Sequence, residues 1–282
     1  MTVEKFSDIS RPFKVVLLDS YGVLRNHNGL IPGVVECVHR LRSEGKIIRV
    51  LTNNAARSPV EAAKNLVRYG LTDIPAAEII TSGATTRHFL EYKIREGRVA
   101  YLGTPQSAEY IIGAGLRAVP VSEVDLEDSA DIKAVAFLDD EGYDKNTDIN
   151  HVINLLRRYQ VPVVVANTDL LYPVAKNEVA MATGSVARLV EYVLGRRFIQ
   201  FGKPASQMFQ FAMDSILPDF PDLSPADVLM VGDTLHTDIL GGNTFGVATA
   251  LVLSGNTRAE SAETEIRSAG IIPDFIVDSI GD

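Results

Sequence analysis

Two aspartates in this chain each end a wholly apolar run. Asp19 follows Val15-Val16-Leu17-Leu18 and leads into Ser20-Tyr21-Gly22. Asp233 follows Val228-Leu229-Met230-Val231-Gly232 and leads into Thr234. Taken singly, each reads as a loop or helix-cap residue. Brought together at neighbouring strand ends, two carboxylates repel unless a cation lies between them. An all-oxygen pair of that kind suits Mg²⁺, which keeps several waters and accepts substrate phosphate. Asp238, just beyond, either supports the ion, or orients a lysine from behind, or is an acid in the first turn of a helix before Ile239-Leu240. Thr52-Asn53-Asn54 ends a third apolar run with a hydroxyl and backbone N–H groups, donors that hold phosphate oxygens well where a helix begins nearby. Gly202-Lys203-Pro204 adds a fixed positive charge, although alone it reads as a solvated turn. The four sites together are far more specific than any one of them.

The elements that must position these residues are legible as short apolar runs alternating with amphipathic stretches. Candidate strands are Lys14–Asp19, Lys46–Asn53, Glu78–Ser82, Arg98–Gly103, Ala134–Asp140, Val161–Asn167, Phe198–Phe201, Val228–Asp233 and Ala248–Ser254. Runs that are apolar throughout fit strands covered on both faces. Helical patterns fall between them, for example Ser58–Tyr69, with Ser58 as cap and Pro59 in the first turn, and Asp148–Tyr159. This alternation predicts an α/β protein with parallel sheets, in which ligands sit beyond the carboxyl ends of the strands. One strand–helix repeat fits between Asp19 and Thr52, and another between Lys203 and Asp233. The stretch from Thr52 to Lys203 holds enough strands and helices for an inserted domain.

Composition narrows the function classes. Of 282 residues, 27 are Lys or Arg and 36 are Asp or Glu, so the formal charge is −9. A nucleic-acid binder needs a basic stripe to displace counterions, and an acidic chain without a basic run disfavours that class. No apolar run approaches a membrane span and no signal peptide is evident, so the expected location is the cytoplasm, away from membranes. The single cysteine, Cys37, lies among apolar residues at helical spacing and reads as a buried small hydrophobe. His27, His39, His88, His151 and His236 show no zinc spacing.

The segments Leu18-Asp19-Ser20-Tyr21-Gly22-Val23-Leu24, Leu51-Thr52-Asn53-Asn54, Phe201-Gly202-Lys203-Pro204 and Val231-Gly232-Asp233-Thr234-Leu235-His236-Thr237-Asp238-Ile239 resemble the motifs of the haloacid dehalogenase superfamily. The resemblance is to its class IIA, NagD-like and nitrophenylphosphatase-like branch of sugar phosphatases. It implies a Rossmann-like, doubly wound parallel-sheet core from residues 1–82 and 183–282, with an inserted α/β cap domain over 83–182. It also implies a Mg²⁺-dependent phosphatase acting on a small phosphorylated metabolite such as a sugar phosphate. In that reading Asp19 is the nucleophile and forms an aspartyl-phosphate. Ser20, Thr52, Asn53, Asn54 and Lys203 form the phosphate-binding set, with Lys203 also catalytic. Asp19, Asp233 and the Tyr21 carbonyl bind Mg²⁺, and Asp238 stands behind them. The cap closes over the site and offers the loop Ala166-Asn167-Thr168-Asp169 to the substrate. A homodimer through the cap is a further expectation from the resemblance.

One position departs from the pattern. Phosphatases of this superfamily usually carry a second Asp two residues after the nucleophile, to protonate the leaving group and activate water; here that residue is Tyr21. Its carbonyl can still serve a metal, but a phenol with an ordinary pKa near 10 is a poor base. Loss of general acid–base help costs roughly 10²–10⁴ in rate. Tyr21 therefore stands as a catalytic candidate for slow turnover. The alternatives are a phosphate- or phosphosugar-binding protein with little turnover, and a haloacid dehalogenase, which carries Tyr here but lacks the acid corresponding to Asp233.

Overall fold

The structure is a computed structural model describing residues 2–175 and 178–282. In chain order its strands are β1 (Val15–Leu18), β2 (Arg25–Asn26), β3 (Gly29–Leu30), β4 (Ile47–Thr52), β5 (Ile79–Thr81), β6 (Arg98–Leu102), β7 (Arg117–Pro120) and β8 (Ile132–Phe137). There follow β9 (Val163–Val165), β10 (Leu171–Ala175), β11 (Glu178–Met181), β12 (Ile199–Gln200), β13 (Val228–Gly232), β14 (Ala248–Val252) and β15 (Phe275–Val277). By contacts the chain divides into two units. One comprises Met1–Thr52, Pro59–Ile80 and Lys203–Asp282, the other Asn53–Ser58 and Thr81–Gly202.

The first unit is built on a six-stranded sheet in the order β15-β14-β13-β1-β4-β5. β1 is parallel to both β13 and β4, with Leu18 level with Val231 and Val50. All four residues of β1 are buried, and their alternation explains the unbroken apolar run. Val16 and Leu18 join a core with the helices Val34–Ser43 and Pro59–Arg68, through Cys37, Val38, Leu41 and Leu66. Val15 and Leu17 face the opposite way, onto Met208, Phe209 and Ala212 of the helix Ser206–Asp214. Each fully buried side chain of this size contributes about 1.5–3 kcal/mol. A central strand with two covered faces is therefore a rigid mount for the residue at its end.

The second unit repeats the architecture with a five-stranded parallel sheet, β12-β9-β8-β6-β7. Val135, Phe137 and Val165 pack on one face with the helices Thr147–Arg158 and Thr183–Leu194. Val99, Ala134, Ala136 and Val164 pack on the other with Ser82–Lys93 and Pro105–Ile112. β10 and β11 form an antiparallel hairpin.

Three features of the fold differ from the expectations. Segment 183–202, expected in the core, lies in the second unit, because β12 pairs with β9 and the helix Thr183–Leu194 packs on the same sheet. The apolar stretch Phe198–Phe201 is thus an edge strand of the second sheet. The short strands β2, β3, β7 and β15 and the hairpin β10–β11 also have no counterpart in the sequence reading; β7 and β11 carry exposed or half-buried residues, and β15 is apolar but only three residues long.

Candidate active site

Parallel pairing of β13, β1 and β4 brings Asp233, Asp19 and Thr52 to adjacent strand ends. Asp19 continues the ladder, its N–H donating to the Val231 carbonyl at 2.9 Å. Its carboxylate is 8 % exposed as a residue and pairs through Oδ1 with the Nζ of Lys203. Lys203, 2 % exposed, is far from a solvated turn. Its ammonium also lies 2.7 Å from Asp238 Oδ1 and donates to the Leu51 carbonyl at 2.9 Å. Three acceptors thus surround a group with three donors, which fixes the charge at one point.

Asp238 resolves the open reading of its role. It lies in a single π-helical turn, Leu235–Ile239, of the kind that recurs at functional sites. While Oδ1 holds Lys203, Oδ2 accepts the backbone N–H of Asp233 at 3.2 Å and of Thr234 at 3.1 Å. The one carboxylate therefore orients the lysine and shapes the loop that presents Asp233.

Asp233 is 2 % exposed. Thr234 Oγ1 donates to its Oδ1 at 2.9 Å, and the N–H of Asn256 donates to its Oδ2 at 2.7 Å. Two glycines leave room for it. A Cβ on Gly22 would lie 2.0 Å from Asp233 Oδ2, and one on Gly255 would lie 1.9 Å from the same atom. Gly22 also has φ +87°, and Ser254 Oγ donates to its carbonyl at 2.7 Å. The loop after β14, Ser254 to Thr257, was not among the residues singled out from sequence. The signal was present, because Ala248–Ser254 reads as a strand and its carboxyl end faces the same crevice.

The electrostatics of this group call for a cation. Ligating atoms of Asp19, Asp233 and Asp238 lie within 4.8 Å of one another, all buried. Burial pushes the Asp19 carboxyl up to about 7, against the pull of Lys203 and with the push of Asp238. Asp233 is raised well above the ordinary carboxylate value by burial and then by the charges of Asp19 and Asp238. Lys203 is itself held above its usual value, since the pull of Asp19 and Asp238 outweighs its burial. One lysine against three carboxylates leaves negative charge that a hard divalent cation would neutralise, and the donors are oxygens throughout.

The remaining predicted residues fall in different places. Ser20 and Thr52 are half-buried in the first unit, and the Ser20 carbonyl accepts the N–H groups of Leu24 and Arg25 to close the turn after β1. The Tyr21 ring lies under the Arg25 guanidinium at 5.3 Å, and its hydroxyl accepts from the His27 backbone. Burial raises its pKa further, so it stays a neutral phenol. Asn53 and Asn54 belong to the second unit. There Asn53 Nδ2 donates to Thr168 Oγ1 at 3.2 Å and to Asp169 Oδ1 at 2.8 Å. Asn54 Oδ1 accepts from the N–H groups of Ala56 and Arg57 and so builds the local turn. Asn167 Oδ1 accepts the Asp169 N–H at 2.9 Å, which shapes the loop after β9. His236 is exposed.

The chain is similar to known proteins along most of its length. A haloacid dehalogenase-like hydrolase family model matches residues 16–117, and a HAD-hydrolase-like model matches residues 200–282. Chronophin of Rattus norvegicus is 31% identical over 277 residues, covering 95% of this chain and 85% of that protein. Glycerol-3-phosphate phosphatase of Gallus gallus is 30% identical over 286 residues, covering 95% of this chain and 89% of that one. Among solved structures, a possible sugar phosphatase of the HAD superfamily from Cytophaga hutchinsonii superposes with a TM-score of 0.95 at 46% identity, covering 100% of this chain and 99% of that one. A glycerol phosphate phosphatase from Mycobacterium tuberculosis, solved in complex with magnesium, gives 0.77 at 25% identity, covering 99% and 78%. Among the described residues, no helix is long and apolar enough to cross a membrane.

Proposed function

The chain belongs to the haloacid dehalogenase-like hydrolases, and on that premise we propose that it is a Mg²⁺-dependent phosphatase of small phosphate monoesters, working through an aspartyl-phosphate on Asp19. The observation that carries this reading is the buried Asp19 at the end of β1, paired with Lys203 and clustered with Asp233.

Asp19 and Asp233, with the Tyr21 carbonyl, would hold the Mg²⁺, whose charge when bound lets an anionic nucleophile and an anionic phosphate approach. The other Asp19 contact, Lys203, opposes the upward push of burial on that carboxyl and would offer a positive charge to the equatorial oxygens as charge spreads over them. Asp238 keeps that lysine from swinging away when phosphate arrives. Thr52, at the end of β4 in the same unit, would add its hydroxyl to the phosphate-binding set. A carboxylate oxygen of Asp19 bonds to phosphorus as the ester P–O bond breaks, and the alkoxide departs with a proton. Water then attacks the phosphorus of the aspartyl-phosphate, releasing inorganic phosphate and restoring Asp19.

Tyr21 supplies no carboxylate for either proton transfer, and its phenol is turned to the Arg25–Leu30 hairpin. Turnover of alkyl phosphates is accordingly slow, with water or another group carrying the proton. The test compares Mg²⁺-dependent phosphate release from an aryl phosphate and from sugar phosphates, with Asp19→Asn as blank. Nitrophenolate leaves without a proton, so the reading predicts aryl cleavage faster than sugar-phosphate cleavage, both abolished by chelator. Full activity in chelator refutes it. Binding of a sugar phosphate with no release above the blank, from either substrate class, replaces it with a phosphate-binding protein.

A cytoplasmic location and a homodimer through the second unit complete the proposal. Leu171, Val179, Met181, Leu189, Tyr192 and Val193 of that unit are exposed, Tyr192 at 90 %. Apolar side chains in such number commonly mark an interface. Light scattering at micromolar concentration reads the mass directly, and a 30.7 kDa species would refute the dimer.

A further inference from the structure

Asn53 is 3 % exposed, which is unusual for an amide in a short connecting segment. Within the second unit it is held by several groups. Its Nδ2 reaches Asp169 and Thr168, and its carbonyl accepts from Ser82 Oγ at 2.7 Å. Its Oδ1 lies where a Cβ on Gly202 would come within 2.6 Å. Gly184 presses on the other side of the clamp, its N–H donating to the Asp169 carbonyl at 3.0 Å and its missing Cβ leaving room for the Thr168 carbonyl.

These partners coincide with the places where the chain passes between its two units: Thr52–Asn53, Ser58–Pro59, Ile80–Thr81 and Gly202–Lys203. Asn53, Ser82 and Gly202 each lie at or next to one of them. The remaining passage is tied by Tyr110, whose hydroxyl donates to the Arg57 carbonyl at 2.6 Å and sits 2.8 Å from Thr81 Oγ1. Thr52 and Lys203, two of the phosphate-binding candidates, are each one peptide bond away from a residue of the Asn53 clamp.

We propose that Asp169 is a positioning residue that acts through Asn53. By fixing the Asn53 amide against Gly202 it holds the backbone bearing Thr52 and Lys203 in the register that phosphoryl transfer requires. The inference rests on the phosphatase reading for its catalytic consequence, but the clamp itself is a structural claim. It differs from a direct contact between Asp169 and the leaving group, which the sequence resemblance suggests. A positioning residue acts on the phosphoryl group common to every substrate; a contact residue acts on the part that varies.

Asp169→Ala should lower kcat roughly 10- to 100-fold, the range for losing a hydrogen bond to a charged partner, with KM little changed. The loss should be equal for an aryl phosphate and a sugar phosphate. Asn53→Asp sets two carboxylates face to face and should be at least as damaging, whereas Asn53→Asp combined with Asp169→Asn restores a donor–acceptor pair and should recover roughly tenfold over the single Asn53→Asp. Amide hydrogen exchange across Leu51–Asn54 and Phe201–Pro204 should quicken in Asp169→Ala, a readout that needs no turnover. A loss that depends on the leaving group, a change confined to KM, or no recovery in the exchange pair would overturn the proposal. If the wild-type protein hydrolyses no phosphate ester, the phosphatase reading falls, and unchanged amide exchange would then overturn the clamp independently.

Discussion

Replacing Asp19 with Asn should make the metal-free protein more stable at pH 8 than at pH 5, relative to wild type, while abolishing turnover. In the native state burial holds the Asp19 carboxyl at about 7, against an ordinary value of 3.8. The folded protein therefore binds this proton more tightly than the unfolded chain, and stability falls as pH rises from about 4 to about 7. Below that window both states are protonated and the term vanishes; above it the full penalty applies. A difference of roughly 3 units at about 1.4 kcal/mol each gives a ceiling near ~4 kcal/mol, of which about 2 kcal/mol or more develops between pH 5 and pH 8. An amide at this position carries no such term, and removing the Asp19 charge also relaxes Asp233, which Asp19 helps to raise. The lost pair with Lys203 shifts the variant by a constant, because that lysine stays charged throughout. Urea midpoints of both proteins in chelator, at pH 5 and pH 8, read the change in the gap. Excess Mg²⁺ at pH 8 should close it by stabilising the wild type more than the variant. A gap constant within about 0.5 kcal/mol across the pH range would refute the argument that these buried carboxylates repel without a cation.

Two further outcomes follow from the same geometry. Gly255→Ala places a methyl 1.9 Å from Asp233 Oδ2, so the carboxylate must move; kcat with Mg²⁺ should drop by roughly 10²-fold or more, and a variant retaining half of wild-type activity would contradict the packing. Tyr21→Asp supplies the missing carboxylate and should raise sugar-phosphate turnover by roughly 10²-fold while changing the release of nitrophenolate less, as steady-state rates on the two substrates would reveal.

The parallel sheets, and the polar residues at their carboxyl ends that the fold gathers round Asp19, are legible in the residues alone. Strands buried on both faces must be apolar throughout, so Val15–Leu18 and Val228–Gly232 stand out, and polar residues such as Asp19 and Asp233 just beyond them lie where parallel sheets bind ligands. The lack of a carboxylate at position 21 is equally plain. Contacts across the chain settle the rest. Ile199–Gln200 joins the second sheet because β9 offers it an edge, and nothing in a two-residue strand encodes that choice. Whether Asp238 was a helix acid or the partner of Lys203 turned on a π-helical turn that brings its oxygens to the lysine and to two backbone amides. The clamp of Asn53 on Asp169 joins residues far apart in sequence, and each alone is an ordinary loop polar group. Local patterning reports which face of an element is covered, whereas the partner of a buried polar group is chosen by the fold that buries it.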